Sequence, residues 1–73
     1  MEDVTYTKGI YTAVATVRTV DGEQFQGVVS LARDDGDEQE NTVYEVEATS
    51  ATPEEALEEA KALAHRILGE IEL

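Results

Sequence analysis

One amphipathic helix is the strongest local signal in this chain, and it limits what so short a sequence can fold into. Thr52 and Glu55 have the spacing of a capping box, and Pro53 stands at the first helical position, where its missing N–H costs nothing. Gly69 is a candidate for the helix end. At about 100° per residue, the apolar side chains form one stripe roughly 140° wide. These residues are Ala56, Leu57, Ala60, Leu63, Ala64, Ile67, Leu68 and Ile71.

Three segments before the helix are typical of β-strands. Residues 10–20 and 24–33 are rich in Val, Ile, Thr and aromatic residues and contain no Pro. Asp21-Gly22 between them is a hairpin signal, because glycine adopts a positive φ without steric cost. Residues 42–49 alternate between apolar and acidic side chains, which predicts a third, half-buried strand.

The order of these elements predicts an α+β fold. We expect a three-stranded antiparallel sheet in β-β-β-α order, with the C-terminal amphipathic helix packed on one face. Residues 1–73 are expected to form a single domain, with 1–8 as a frayed lead-in and 34–41 as a solvated acidic loop. Residues 70–73 suit either a last helical turn or a short fourth strand.

The predicted core depends on the geometry of the turn at Asp21-Gly22. A two-residue turn pairs Val14 with Val29, whereas a three-residue loop shifts the parity by one. The core therefore contains either Ile10 with Val14 or Ala13 with Val17. The other expected core residues are Phe25, Val29, Leu31, Tyr44, Val46, Leu57, Leu63 and Ile67.

Both faces of the first predicted strand are apolar, but one helix covers only one face of a sheet. The uncovered face would expose an apolar patch, and such patches often mark interfaces. We therefore predict a small interaction module that forms a homodimer or binds a protein partner through its free sheet face or an edge strand. The candidate interface residues are Tyr11, Ala13, Ala15, Val17, Val28 and Ala32.

The charge of the chain restricts its partners. With 5 basic and 17 acidic residues, the net charge is 5 − 17 = −12, which repels nucleic acids and anionic membranes. A second hypothesis is an inhibitor that imitates nucleic acid and binds a basic nucleic-acid-binding protein. Its candidate acidic surface combines Asp34, Asp35, Asp37, Glu38 and Glu40 with Glu54, Glu55, Glu58 and Glu59.

The residues available for catalysis or metal binding are few. The chain has no Cys, and its only histidine, His65, falls on the polar side of the helix. Nucleophilic catalysis requires a serine beside a base such as histidine. Nothing in the sequence indicates that Ser30 or Ser50 is a neighbour of His65. The acidic segment fails the calcium-loop template in both frames that start at Asp34 or Asp35. We therefore expect no enzymatic activity, no cofactor and no dedicated metal site.

The sequence also predicts a cytoplasmic protein. No apolar run approaches the length of a membrane span, and the first residues lack the basic and apolar regions of a signal peptide.

Three short segments resemble the N-terminal part of HicB-type antitoxins. They are Tyr11 to Val14, the turn Asp21-Gly22, and the helix start TPEEALEEA from Thr52 to Ala60. In that family a strand with a Tyr-x-Ala pattern, an acidic-Gly turn and further strands precede a Thr-led helix. The resemblance implies a sheet-plus-helix scaffold and a protein partner.

Overall fold

The computed structural model describes residues 3–71 and has α+β architecture. The elements are β1 (Val4–Lys8), β2 (Tyr11–Val20), β3 (Gln24–Asp35), β4 (Glu38–Glu45) and α1 (Pro53–Glu70). The four strands form one antiparallel sheet in the order β1-β2-β3-β4. The helix α1 packs mainly against β2 and β3, with a smaller contact on β1. The α+β class is thus confirmed, but the sheet has four strands rather than three.

The additional strand, β1, lies in the segment that we expected to be frayed. It pairs with β2 from Val4↔Ala15 to Lys8↔Tyr11, across a two-residue turn that starts at Gly9, where φ is 60°. Val4 and Tyr6 pack against the core. The prediction was wrong because these five residues are held by pairing and packing with distant residues, whereas their local signal is only a short alternation of apolar and polar side chains. Residues 1 and 2 of the expected lead-in lie outside the described residues.

The predicted acidic loop at 34–41 is also wrong, since most of it belongs to β3 and β4. The two strands pair without interruption out to Asp35↔Glu38, and Gly36 with Asp37 makes a two-residue turn. Gly36 has φ 69°, a conformation that glycine adopts without strain. Arg33 lies 3.1 Å from Asp35 and 3.7 Å from Glu40, which offsets part of the local negative charge. The side chains of 34–41 are nevertheless all exposed, as expected.

The β2–β3 connection decides which face of β2 is buried. Val20 pairs with Gln24, so the loop has three residues, Asp21 to Glu23, and Ala15 rather than Val14 faces Val29. Asp21 and Gly22 both have positive φ, 45° and 72°. Of the two alternatives left open by the sequence, the Ala13 and Val17 face is therefore the one under the helix.

The centre of the core consists of small side chains. Ala13, Ala15 and Val29 of the sheet are fully buried, as are Ala56, Ala60 and Ala64 of α1, while Leu68 is 8% exposed. Of the larger residues expected in the core, Val29 is fully buried and Tyr44 is 38% exposed, while the rest are half-buried. Alanines on both sides bring the helix close to the sheet, so the larger apolar residues lie around this contact rather than within it.

The helix begins as predicted and ends slightly later. The Thr52 hydroxyl accepts a hydrogen bond from the Glu55 N–H at 3.2 Å, and Pro53 is the first helical residue. Gly69 lies within α1, which runs to Glu70, with Ile71 as the C-cap. Residues 72 and 73, for which we considered a short strand, lie outside the described residues.

Candidate interaction surfaces

The sheet side that faces away from α1 has no covering element among residues 3–71; we call it the open face. Its residues follow from the strand register and the alternation of side chains. The central part is free of charged side chains. It consists of Thr5, Thr7, Thr12, Val14, Thr16, Val28, Ser30, Ala32, Asn41 and Val43.

Among the residues of the four strands, the charged side chains of the open face lie at its two ends. At one end the Arg18 guanidinium lies 2.9 Å from the Glu45 carboxylate and also donates two hydrogen bonds to the Gln26 side-chain oxygen. At the other end is Asp34. The face is therefore close to neutral on a molecule of net charge −12.

Four of the six predicted interface residues lie on the other side of the sheet. Tyr11, Ala13, Ala15 and Val17 are on the side covered by α1, and Ala13 and Ala15 have no exposed surface. Val28 and Ala32 lie on the open face, in register with Thr16 and Thr12. The prediction was wrong for the four β2 residues because of the three-residue β2–β3 loop. This loop determines which residues of β2 and β3 pair, and therefore which face of β2 lies under the helix.

Val43 and the threonines of the open face were not among the predicted interface residues. Val43 is 61% exposed, the highest value among the large apolar side chains of the described residues. The alternation Val4-Thr5-Tyr6-Thr7 is a sequence signal for the strand β1. The period-2 pattern around Tyr44 places Val43 on the opposite face of β4 from Tyr44. Both signals are short, and only strand pairing assigns their faces.

The predicted acidic surface is divided between two regions of the molecule. The start of α1 lies over Gly27, since a Cβ at Gly27 would be 2.6 Å from the Ala56 carbonyl oxygen. Its end lies over β1, where Lys8 Nζ is 2.7 Å from the Leu68 carbonyl oxygen. The helix thus runs toward the β3–β4 turn, and its N-terminal glutamates are at the opposite end. Strand β3 spans roughly 25 Å from Gly27, under the start of α1, to Asp35 in the acidic hairpin, at about 3.3 Å per residue. The two groups of carboxylates are therefore far apart.

A groove of about 740 Å³ separates α1 from the strand β4 and the segment that follows it. Tyr44, Val46, Ala62 and Leu63 contribute apolar surface, while the charged lining residues are Glu45, Glu47, Glu59 and Arg66. The groove exists because α1 packs over β2 and β3 and leaves β4 at the margin of its footprint.

The candidate catalytic side chains are in different parts of the fold. Ser30 is on the open face, whereas Ser50 forms a bridge with Phe25 and its hydroxyl lies 3.4 Å from the Glu59 carboxylate. The His65 ring packs against the Tyr6 ring, with centroids 4.4 Å apart. The arrangement brings neither serine next to the histidine.

Residues 3–71 contain no group of three or more His, Cys, Asp or Glu side chains arranged to hold a metal ion. None of the helical structure in the same range is long and apolar enough to cross a membrane.

Comparison with family models, with curated proteins and with solved structures gives no match for this chain. The resemblance to HicB-type antitoxins therefore stays a prediction.

Proposed function

We propose that this chain is a non-enzymatic protein-interaction module that self-associates, with two copies packing their open faces together. The observation that carries the proposal is the uncharged centre of the open face, from Thr5 and Thr7 on β1 to Val43 on β4. We further propose a cytoplasmic location, as expected from the sequence.

Charge favours this face over the rest of the surface for contact between two copies. Each copy has net charge −12, so any contact that faces carboxylates toward carboxylates is opposed by repulsion. On the open face the Arg18–Glu45 pair is internally compensated, and Asp34 lies at the far end. Two open faces therefore approach with less repulsion than two helix faces, which carry Glu54, Glu55, Glu58 and Glu59.

The area of the open face suits a weak dimer. Four strands about 4.8 Å apart and about eight residues long give roughly 500 Å² of flat area per copy. Two copies would bury about 1,000 Å², near the lower limit for specific interfaces. Aligned packing of two sheets about 10 Å apart is a standard arrangement.

The small core gives a reason for association. Val29 is the largest side chain with essentially no exposure among the described residues, and the other fully buried ones are alanines. A domain with so little buried apolar area is marginally stable alone, and burial of Val14, Val28 and Val43 between two copies would add to it.

The test places a charge at the centre of the open face. Ser30 pairs with Val14 on one side and Val43 on the other, so Ser30→Glu would bring two carboxylates together across the dimer axis. We expect sedimentation equilibrium to show a dimer for the parent chain and a monomer for Ser30→Glu. The matched control is Ala51→Glu, which adds the same charge at an exposed residue before the helix and should leave the dimer intact.

Other outcomes identify other partners. A parent chain that remains monomeric at millimolar concentration would refute self-association. If such a monomer then bound a different protein, and Ser30→Glu abolished that binding, the open face would be a hetero-interface. The alternative function, an acidic inhibitor that imitates nucleic acid, would instead depend on the two separated carboxylate regions and tolerate Ser30→Glu.

A further inference from the structure

We propose that the outer edge of β4, together with the groove beside it, binds an extended basic segment of another protein, which adds a fifth strand to the sheet. This site is distinct from the open face, because it uses the backbone of β4 and the side chains between β4 and α1. Its test can therefore fail without affecting the proposed self-association.

The edge of β4 offers a long row of backbone hydrogen-bonding groups. β4 is the last strand of the sheet and pairs only with β3 within the described residues. The Val46 N–H donates to the Gly27 carbonyl oxygen at 2.9 Å, and hydrogen-bonded pairs alternate with non-hydrogen-bonded pairs along an antiparallel ladder. The residues whose N–H and C=O groups point outward are therefore Gln39, Asn41, Val43 and Glu45.

β4 lacks most devices by which exposed edges are blocked. It contains no Pro, no Lys and no bulge, and its register with β3 is regular from Glu38 to Glu45. Its eight residues are all exposed. Negative charge is its remaining protection, and negative charge repels acidic strands while attracting basic ones.

The groove would receive side chains of the added strand. Alternate residues of such a strand would point toward α1, above the surface formed by Tyr44, Val46 and Leu63. The groove of about 740 Å³ is large enough for one or two aliphatic side chains. This mode of recognition takes affinity from backbone hydrogen bonds and specificity from pockets for alternate side chains.

Charge complementarity defines the partner. Two carboxylates, Glu47 and Glu59, line the groove against one cation, Arg66, while the Glu45 carboxylate lies on the open face beside Arg18. A second copy of this chain fits poorly here, because its own β4 would bring Glu38, Glu40 and Glu45 of each copy into one two-stranded ribbon. A segment that alternates Lys or Arg with aliphatic residues fits both the edge and the groove.

The experiment uses the full chain and an acetylated peptide of alternating Lys and Val, about ten residues long, which is enough to cover β4. Binding is followed by NMR shifts and amide hydrogen exchange. We expect slowed exchange at Asn41, Val43 and Glu45. A peptide of the same length that alternates Glu and Val should not bind. A Lys-Val peptide with N-methyl groups on alternate amides should bind about tenfold more weakly or not at all, because it cannot form the backbone ladder.

Val43→Pro removes an outward N–H without removing a bond to β3, since Val43 and Ser30 form a non-hydrogen-bonded pair. We expect this variant to lose about tenfold or more in peptide affinity, whereas Val43→Thr, which keeps the N–H, should bind almost as the parent does. The proposal would be overturned if the N-methylated peptide bound as tightly as the unmodified peptide, or if Val43→Pro bound the peptide as tightly as the parent chain. Either result would leave only nonspecific charge attraction. Protection at residues away from β4, or no binding at millimolar peptide, would also overturn it.

Discussion

At the scale of single residues, Gly27 determines how closely the helix approaches the sheet. A Cβ at this position would lie 2.6 Å from the Ala56 carbonyl oxygen and 2.9 Å from the Ala60 Cβ. The nearest atom belongs to the helix backbone, which cannot rotate away as a flexible side chain could. The position therefore needs glycine for space rather than for a special φ.

We predict that Gly27→Ala lowers the free energy of unfolding by about 2 kcal/mol, the usual range for an overpacked contact. Gly69→Ala is the matched control, because no atom lies within 4 Å of a Cβ placed there and Gly69 is helical. This control should be neutral or raise the stability by up to about 1 kcal/mol. Urea unfolding followed by circular dichroism measures both. Equal effects of the two substitutions would show that α1 does not pack this closely on β3.

Lys8 links the first strand to the end of the helix. Its Nζ donates to the Leu68 carbonyl oxygen at 2.7 Å and to the Ile71 carbonyl oxygen at 3.0 Å. The last turn of α1 contains no basic residue, so Lys8 places a cation at the negative end of the helix dipole from another element. No local sequence pattern predicts this contact, since Lys8 and Leu68 are separated by 60 residues.

We predict that Lys8→Met lowers the free energy of unfolding by about 1 kcal/mol, because helix carbonyls lose a charged donor. The control is Lys61→Met. Lys61 forms a 3.0 Å pair with Glu58, and the hydrogen bond to that carboxylate raises the pKa of Lys61 above its ordinary value of 10.5. Lys61 is thus charged at neutral pH, but solvent screens its pair with Glu58, so this pair should contribute less to stability than the Lys8 contacts do. A thermal unfolding series compares the two, and equal losses would contradict the role of Lys8.

At the scale of elements, the helix could be predicted in detail because its signals are local. Thr52, Pro53 and Glu55 mark its start within four residues, and its apolar stripe includes all four buried alanine and leucine positions. The strand β1 and the hairpin arms at 34–41 could not be predicted in this way. Their residues are polar or few, and pairing with distant residues holds them in place. The candidate interface failed for a third reason. One additional loop residue, Glu23, reverses which face of β2 is covered.

The β3–β4 hairpin depends on its turn glycine. Gly36 has φ 69°, and no atom lies within 4 Å of a Cβ placed there, so any cost of substitution comes from the backbone alone. We predict that Gly36→Ala destabilises the protein by about 1 kcal/mol and that Gly36→Asn, which tolerates this conformation, costs less. Differential scanning calorimetry gives the order of the three proteins. A Gly36→Ala protein at least as stable as Gly36→Asn would show that the turn adopts another conformation.

At the scale of the whole molecule, negative charge is spread along an elongated body with principal extents of 41 × 20 × 20 Å. The glutamates at the start of α1 lie near one end and the acidic β3–β4 hairpin at the other. The ion pairs among the described residues are exposed or half-exposed, so they offset little of the repulsion among 17 acidic side chains. Self-repulsion therefore acts both on folding and on any contact between two copies.

Ionic strength should distinguish the two function hypotheses because it acts on them in opposite directions. Raising NaCl from 0.01 M to 0.15 M shortens the Debye length from about 30 Å to about 8 Å. Two copies of net charge −12 that meet through near-neutral faces then repel each other less, so we expect the dimer dissociation constant to fall by about tenfold. Sedimentation equilibrium at the two salt concentrations measures this change, with Ser30→Glu as a monomeric reference in both. An inhibitor that imitates nucleic acid would instead lose affinity for its basic partner over the same range. A dimer that weakens as salt is added would contradict packing through the open face, since that result requires attraction between opposite charges at the interface.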